Sequence, residues 1–168
     1  GPRGAFAVVA VAGTLDLAPV LGSRSTHTRS RLGGLDGRTL RAGDRLAVDA
    51  PRRASAVAAT IDAAFLDGDG RPIRVALGPQ ADHFDPETIA RFLAQDWRLS
   101  PRSDRMAYAL EGEPLTHAKG HDIVSDAVAH GAIQVPGSGL PFVLMADRQP
   151  TGGYPKIADV ATVDLSVL

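Results

Sequence analysis

Residues 131–160 read GAIQVPGSGLPFVLMADRQPTGGYPKIADV and place two glycine-rich turns around one short apolar strand, residues 142–146. Glycine permits backbone conformations that a Cβ atom forbids, and it lets a ligand approach the backbone closely. Turns that flank a buried strand, with charged and amide side chains at its end, are typical of a site built on a rigid element. Ordinary turns of a β protein have the same composition, so both interpretations stay open at this point.

Strand signals recur outward from this segment, with turn signals between them. Residues 5–12 are apolar and partly β-branched, which predicts a strand buried on both faces. The remaining predicted strands are residues 45–48, 73–77, 97–99, 106–110, 133–135, 142–146 and 157–163. The pattern predicts a mainly β fold, an antiparallel barrel or sandwich with one or two short helices.

One helix start is well marked. Asp85 can cap the free N–H groups of a first turn, and Pro86 suits the first helical position. Ile89, Phe92 and Leu93 recur at helical spacing. They predict a helix face that covers an edge of the core.

Composition limits the function classes. The 168 residues carry 18 Lys and Arg against 19 Asp and Glu, which argues against nucleic acid or an anionic membrane as the main partner. Cysteine is absent, which excludes disulfide scaffolds, thiolate catalysis and cysteine-ligated zinc. No apolar run is long enough to span a bilayer, and no signal peptide is evident, so we expect a cytoplasmic protein. Both ends read as interior strands, and we expect a fragment of a longer protein.

The polar side chains beside the quoted strand are the first candidates for chemistry. Asp147, Arg148 and Gln149 follow the strand, and Lys156 follows the second glycine turn. Asp147 or Lys156 would titrate near neutral pH if it were desolvated. The sequence alone leaves open which of the two is buried.

The first glycine turn, Gly137-Ser138-Gly139, resembles part of a nucleophile elbow. An elbow needs a helix directly after it, whereas Pro141 and an apolar strand follow here. We therefore expect a nest of backbone N–H groups for an oxyanion or a carboxylate.

A second polar loop begins at residue 22. Arg24, Ser25 and Thr26 offer a fixed cation and hydroxyl groups, which suit the capture of a carboxylate or a phosphate. The alternative is a surface loop whose hydroxyls bond their own backbone. His117 and His121 have helical spacing but loop-like flanks, and no acidic residue completes a motif, so we expect no metal site.

Together these segments resemble the biotin-dependent carboxyltransferase family, also called the allophanate hydrolase subunit 2 family. The matching segments are GSRST at 22–26, GGLDGR at 33–38, GD at 43–44, SDRM at 103–106, LEG at 110–112, IVSD at 123–126 and the run 131–158. Members of that family are longer than this chain. The resemblance implies a cyclophilin-like β-barrel fold and a fragment of a two-subdomain protein, with residues 1–50 in the first subdomain or its junction and residues 51–168 in the barrel.

The resemblance also implies a function. Standalone bacterial members work as the C subunit of 5-oxoprolinase with partner A and B subunits, and the complex uses ATP to open 5-oxoproline to glutamate. The alternative is the carboxyltransferase part of urea carboxylase or urea amidolyase, which would need carboxybiotin and a biotinyl carrier domain. A third alternative is a non-catalytic regulatory module that antagonises a kinase inhibitor. We expect no covalently bound cofactor.

Both reactions handle a planar amide or ureido group. Both need hydrogen-bond donors at a developing oxyanion and a group that handles an N–H proton. Their residue types make Arg24, Arg148 and the backbone at 137–139 donor candidates, and Gln149 a group that could grip the amide with its paired donor and acceptor. Asp147 or Lys156 is the candidate proton handler. The remaining candidates for substrate binding are Ser25, Thr26, Gly152, Gly153 and Tyr154.

This chain also departs from the family pattern. The family usually has glycine at Ala107 and Ala127, glutamine at Leu140 and threonine at Pro150. A methyl group where only hydrogen fits would cost about 1 kcal/mol or reshape a turn. We therefore expect a member that is divergent in substrate or weaker in activity.

Overall fold

The computed structural model describes residues 8–49 and 70–168, and the chain divides into two compact units, Gly1–Thr60 and Ile61–Leu168. In the first unit, β1 (Thr14–Leu15) pairs antiparallel with β2 (Val48–Asp49). Residues 22–37 form an irregular loop, which begins at residue 22 as predicted, and a backbone bridge between His27 and Leu32 folds it back on itself.

The prediction of a strand at residues 5–12 is wrong for residues 8–12, the part of it that the structure describes. Residues 8–12 are irregular, and Val8 and Val9 are 94% and 85% exposed. Residues 5–7 lie outside the described residues. Apolar, β-branched composition favours a strand, but a strand also needs a neighbour whose N–H and C=O groups pair with its own. The predicted strand 45–48 likewise contributes only Val48, to β2.

The second unit contains most of the secondary structure of the described residues. Its strands are β3 (Val75–Leu77), β4 (Arg98–Leu99), β5 (Ala107–Glu111), β6 (Asp126–Ala127), β7 (Ala132–Gln134), β8 (Phe142–Leu144), β9 (Thr151–Gly152) and β10 (Lys156–Val160). Six of them form one antiparallel sheet in the order β3-β10-β7-β8-β5-β4, while β6 and β9 form a separate pair. Each of the six overlaps a predicted strand, whereas β6 and β9 were not predicted.

The mainly β class is therefore confirmed, and the described residues contain one α-helix. The sheet is open, with β3 and β4 at its two edges, so the described residues do not by themselves close a barrel. The last predicted strand is shorter than expected, because residues 162–164 form a 3-10 turn after β10.

The helix α1 (Pro86–Ala94) begins where it was predicted. A carboxylate oxygen of Asp85 accepts the backbone N–H of Thr88 at 2.7 Å, and this bond lowers the pKa of the carboxyl group. Phe92 is buried as expected, but Leu93 is 56% exposed. Thr88 is buried instead, because residues four apart lie on the same helix face.

The two faces of the sheet differ in chemistry. On one face, Tyr108, Val143 and Ile133 lie side by side in register across β5, β8 and β7, within the main apolar core. Side chains alternate along a strand, so Gln134 points to the opposite face. Its register partners are Phe142 on β8 and Lys156 on β10. The opposite face thus carries the polar side chains of Gln134 and Lys156 beside the apolar ring of Phe142.

Two of the departures from the family pattern are accommodated without strain. Ala107 lies in β5 and Ala127 in β6. Neither has the positive φ that would demand glycine; among the described residues, only Leu21, Arg31 and Asp36 combine a side chain with positive φ. The methyl groups therefore carry no penalty from a left-handed backbone.

Candidate functional site

Lys156 is a buried cation at the start of β10. Its side chain is 5% exposed, and its ammonium donates to a carboxylate oxygen of Asp126 at 2.5 Å and to the carbonyl of Ala127 at 2.8 Å. A buried ammonium needs such partners, because its removal from water is costly. The hydrogen bond from Lys156 lowers the pKa of Asp126, whose side chain is 49% exposed. The pair therefore connects a buried ammonium to a carboxylate that reaches solvent.

Two glutamines frame this pair. Gln80 donates to Asp126 at 3.4 Å and accepts the backbone N–H of Lys156 at 3.3 Å. Gln134 is fully buried and donates from Nε2 to the carbonyl of Tyr154 at 3.0 Å. Its Oε1 has no hydrogen-bond partner among the described residues. Buried side-chain polar atoms are normally hydrogen-bonded, so Gln134 is the member of the cluster whose hydrogen bonds are incomplete among the described residues.

The second glycine turn packs directly on Gln134. A Cβ atom at Gly152 would lie 2.5 Å from Nε2 of that glutamine, whereas a Cβ at Gly153 would have its nearest neighbour at 3.6 Å. The backbone at Gly152 is therefore approached closely, but the approaching group is the side-chain amide of Gln134 and not a ligand. Tyr154 is 38% exposed and meets Phe142 edge to face, with ring centroids 6.3 Å apart.

We name Gln80, Asp126, Gln134, Gly152, Tyr154 and Lys156 the lysine cluster. Three of these residues were predicted from the sequence, namely Gly152, Tyr154 and Lys156. The sequence analysis missed the other three. Asp126 lies inside the family-like segment IVSD, so its acidic side chain was a signal that could have been used.

Asp147 is not buried. Its carboxylate forms two hydrogen bonds with the guanidinium of Arg105, at 2.7 and 3.0 Å. The two side chains are 51% and 60% exposed, so this ion pair lies at the surface. Of the two predicted proton handlers, Lys156 is the buried one.

Arg148 and Gln149 are partly buried in the connection between β8 and β9. Arg148 donates from Nε to the carbonyl of Val128 at 3.1 Å. Val128 directly follows Ala127, which accepts from Lys156. Arg148 is therefore connected to the lysine cluster through the backbone. The roles of Arg148 and Gln149 toward a substrate stay predictions.

Two of the backbone N–H groups at the first glycine turn form hydrogen bonds within the turn itself. The N–H of Gly139 donates to the carbonyl of Pro136 at 2.9 Å, and the N–H of Leu140 donates to Oγ of Ser138 at 3.3 Å. An anion nest here would have to use the N–H groups of Gly137 and Ser138. The described residues contain no group of three or more metal-ligating side chains that could hold an ion.

In the first unit, Arg24, Ser25 and Thr26 lie together on an exposed loop. Arg24 donates from Nε to the carbonyl of Leu17 at 3.1 Å. Gly33 and Gly34 have positive φ and contact Ser25 and Thr26 so closely that a Cβ atom would overlap them. This glycine packing holds the loop in a defined shape, and its binding role stays a prediction.

A cavity of about 580 Å³ lies beneath α1, on the face of the sheet that carries Tyr108, Val143 and Ile133. Its lining is mainly apolar and includes Phe92, Trp97 and Tyr108. None of the predicted site residues lines it. No helix among the described residues is long and apolar enough to cross a membrane.

Known proteins resemble this chain over nearly its whole length. The family model described as "Carboxyltransferase domain, subdomain A and B" matches residues 1–168. The C subunit of 5-oxoprolinase from Escherichia coli (strain K12) is 39% identical over 97% of this chain and 52% of that protein. The urea amidolyase of Lachancea kluyveri is 29% identical over 96% of this chain and 10% of that protein. The crystal structure of TTHA0988 aligns with a TM-score of 0.69 at 35% identity, covering 94% of this chain and 30% of that one. The chain thus spans about half the length of its relatives among the 5-oxoprolinase C subunits.

Proposed function

This chain belongs to the carboxyltransferase domain family, subdomain A and B, and we propose that it is part of a protein like the C subunit of 5-oxoprolinase, which opens a lactam within an ATP-dependent complex. The identity of 39% to a 5-oxoprolinase C subunit, against 29% to a urea amidolyase, supports this choice of reaction. The observation that carries the choice of site is the buried ammonium of Lys156, held against Asp126.

Opening a lactam to an amino acid adds water across the ring amide. The carbonyl carbon gains an oxygen, the C–N bond breaks, and the nitrogen leaves with an added proton. A general acid near that nitrogen accelerates the cleavage. In our proposal Lys156 gives this proton, and Asp126, which is 2.5 Å away and half exposed, returns one from solvent.

The other predicted residues would bind the substrate. Backbone N–H groups at 137–138 and the guanidinium of Arg148 would stabilise the negative charge that develops on the carbonyl oxygen. Gln149 would pair with the ring amide through its donor and acceptor. We further propose a cytoplasmic complex with partners like the A and B subunits of 5-oxoprolinase, in which ATP is used by the complex and this chain binds no covalent cofactor.

The second candidate is carboxyl transfer from biotin to urea. The description of the matching family as a carboxyltransferase domain and the similarity to a urea amidolyase favour it. In that case the same ammonium and N–H groups would face a ureido group, and the partner would be a biotinyl carrier domain.

The test uses the full-length protein that contains this chain, together with its A and B subunits. We expect ATP-dependent release of glutamate from 5-oxoproline, and we expect that release to stop when the protein that contains this chain is omitted. Omission with no effect on release would contradict the proposal. A complex that releases no glutamate but carboxylates urea with a biotinyl carrier would favour the second candidate.

A further inference from the structure

The short ladder between β6 and β9 ends at an incomplete pair, Val128 and Pro150. The N–H of Val128 donates to the carbonyl of Pro150 at 3.1 Å. In this type of antiparallel pair, the two residues normally exchange both hydrogen bonds. Proline has no N–H. The carbonyl of Val128 therefore lacks the donor that the ladder would otherwise supply.

Arg148 supplies that donor. Its Nε–H donates to the carbonyl of Val128 at 3.1 Å. Val128 is 7% exposed and belongs to a small apolar cluster with Ala132 and Leu144, so its carbonyl needs a protein partner. This is the one side-chain hydrogen bond that the described part of the chain gives Arg148. The guanidinium thus takes the place of the missing backbone N–H.

The same stretch of backbone holds Lys156. The three consecutive residues 126–128 provide, in order, the carboxylate that pairs with Lys156, the carbonyl that accepts from its ammonium, and the carbonyl that accepts from Arg148. A displacement of Val128 would therefore move both groups that hold the ammonium. No other residue is needed to connect the two cations.

We propose that Arg148 is a positioning residue, which replaces the N–H absent from Pro150 and thereby holds residues 126–128 in the geometry that grips Lys156. This role differs from direct binding of a substrate anion by Arg148. It depends only on contacts within the chain, so it holds whichever reaction the lysine cluster serves.

A double-mutant cycle tests the proposal in the full-length protein. The variants are Arg148→Met, which removes the donor, Pro150→Ala, which restores a backbone N–H, and the two combined. Two quantities are measured for each, the thermal midpoint and the pKa of the Asp126 carboxyl group followed by NMR. Loss of stability alone would not change the Asp126 pKa in the folded state, so this second quantity reports on positioning.

We expect Arg148→Met to lower the thermal midpoint by about 2–10 °C, because a buried carbonyl loses its donor. We also expect it to raise the pKa of Asp126 toward that of an ordinary carboxyl group, because the contact with Lys156 loosens. Pro150→Ala alone should lower stability only slightly, because proline stabilises the protein by a small amount through a stiffer unfolded chain. In the Pro150→Ala background, Arg148→Met should change neither quantity appreciably.

Either of two results would overturn the proposal. One is an unchanged Asp126 pKa in folded Arg148→Met. The other is an effect of Arg148→Met that is equally large with and without Pro150→Ala, which would indicate that Arg148 acts by a different contact. Should Arg148→Met fail to fold, the combined variant decides: a folded protein with the wild-type Asp126 pKa supports the proposal, and an unfolded one refutes it.

Discussion

Gly152→Ala tests how tightly the lysine cluster is packed. The new Cβ atom would lie 2.5 Å from Nε2, 2.8 Å from Oε1 and 3.0 Å from Cδ of Gln134. That amide is fully buried and donates to the carbonyl of Tyr154, so it can move away only by giving up this bond. Overpacking costs about 1–3 kcal/mol. A lost hydrogen bond adds about 1 kcal/mol. We therefore expect a free energy of unfolding lower by about 2–4 kcal/mol.

Gly153→Ala is the matched control, because its Cβ atom would have no neighbour closer than 3.6 Å. We expect a change of less than about 1 kcal/mol there, because a stiffer unfolded chain offsets any small local cost. The assay is urea unfolding followed by the fluorescence of Trp97, with the thermal midpoint as a second reading. A loss of about 4–16 °C is expected for Gly152→Ala in a chain of this size. Equal effects of the two substitutions would refute the packing argument.

Four further substitutions test the charged groups. Asp126→Asn should lower the urea midpoint more than Lys156→Met. Asp126→Asn leaves a buried ammonium without a counter-charge, whereas Lys156→Met leaves a half-exposed carboxylate that water can solvate. A larger loss for Lys156→Met would contradict the assigned burial. Asp164 is buried and its pKa is lowered by hydrogen bonds from Arg74, so its contribution to stability is present above about pH 4 and lost as the pH falls below that. Asp164→Asn should therefore flatten the acid side of the stability curve, and an unchanged acid limb would argue against this pair. Asp147→Ala should lower the free energy of unfolding by no more than about 1 kcal/mol, because its ion pair with Arg105 is exposed on both sides; a larger loss would contradict a surface role for this pair.

The family comparison confirms the resemblance that the sequence segments indicated, over residues 1–168. Features set by neighbouring residues were also predicted correctly. The helix start at Asp85 and Pro86 depends on a cap and a fixed φ within one turn, and these are visible in the sequence. The six strands of the main sheet were found because their apolar residues sit in short runs between turn signals.

Features set by pairing between distant residues were missed. β6 and β9 have two residues each and no apolar alternation, and each is a strand only because it pairs with the other. Gln80 and Asp126 meet across 46 positions of sequence, and Gln134 joins Lys156 through strand register. The sequence also could not separate Lys156 from Asp147 as the buried group, because burial depends on what packs above each side chain.

The central claim is that the buried ammonium of Lys156 donates a proton during ring opening. The direct measurement is the rate of ATP-dependent glutamate release from 5-oxoproline by the assembled full-length complex, compared between wild type, Lys156→Met and Lys119→Met. Lys119 is a suitable control because it is an exposed lysine that is also paired with an aspartate, Asp82. The account predicts a loss of about 10²-fold or more for Lys156→Met and a wild-type rate for Lys119→Met. A folded, assembled Lys156→Met complex that releases glutamate at the wild-type rate would contradict it.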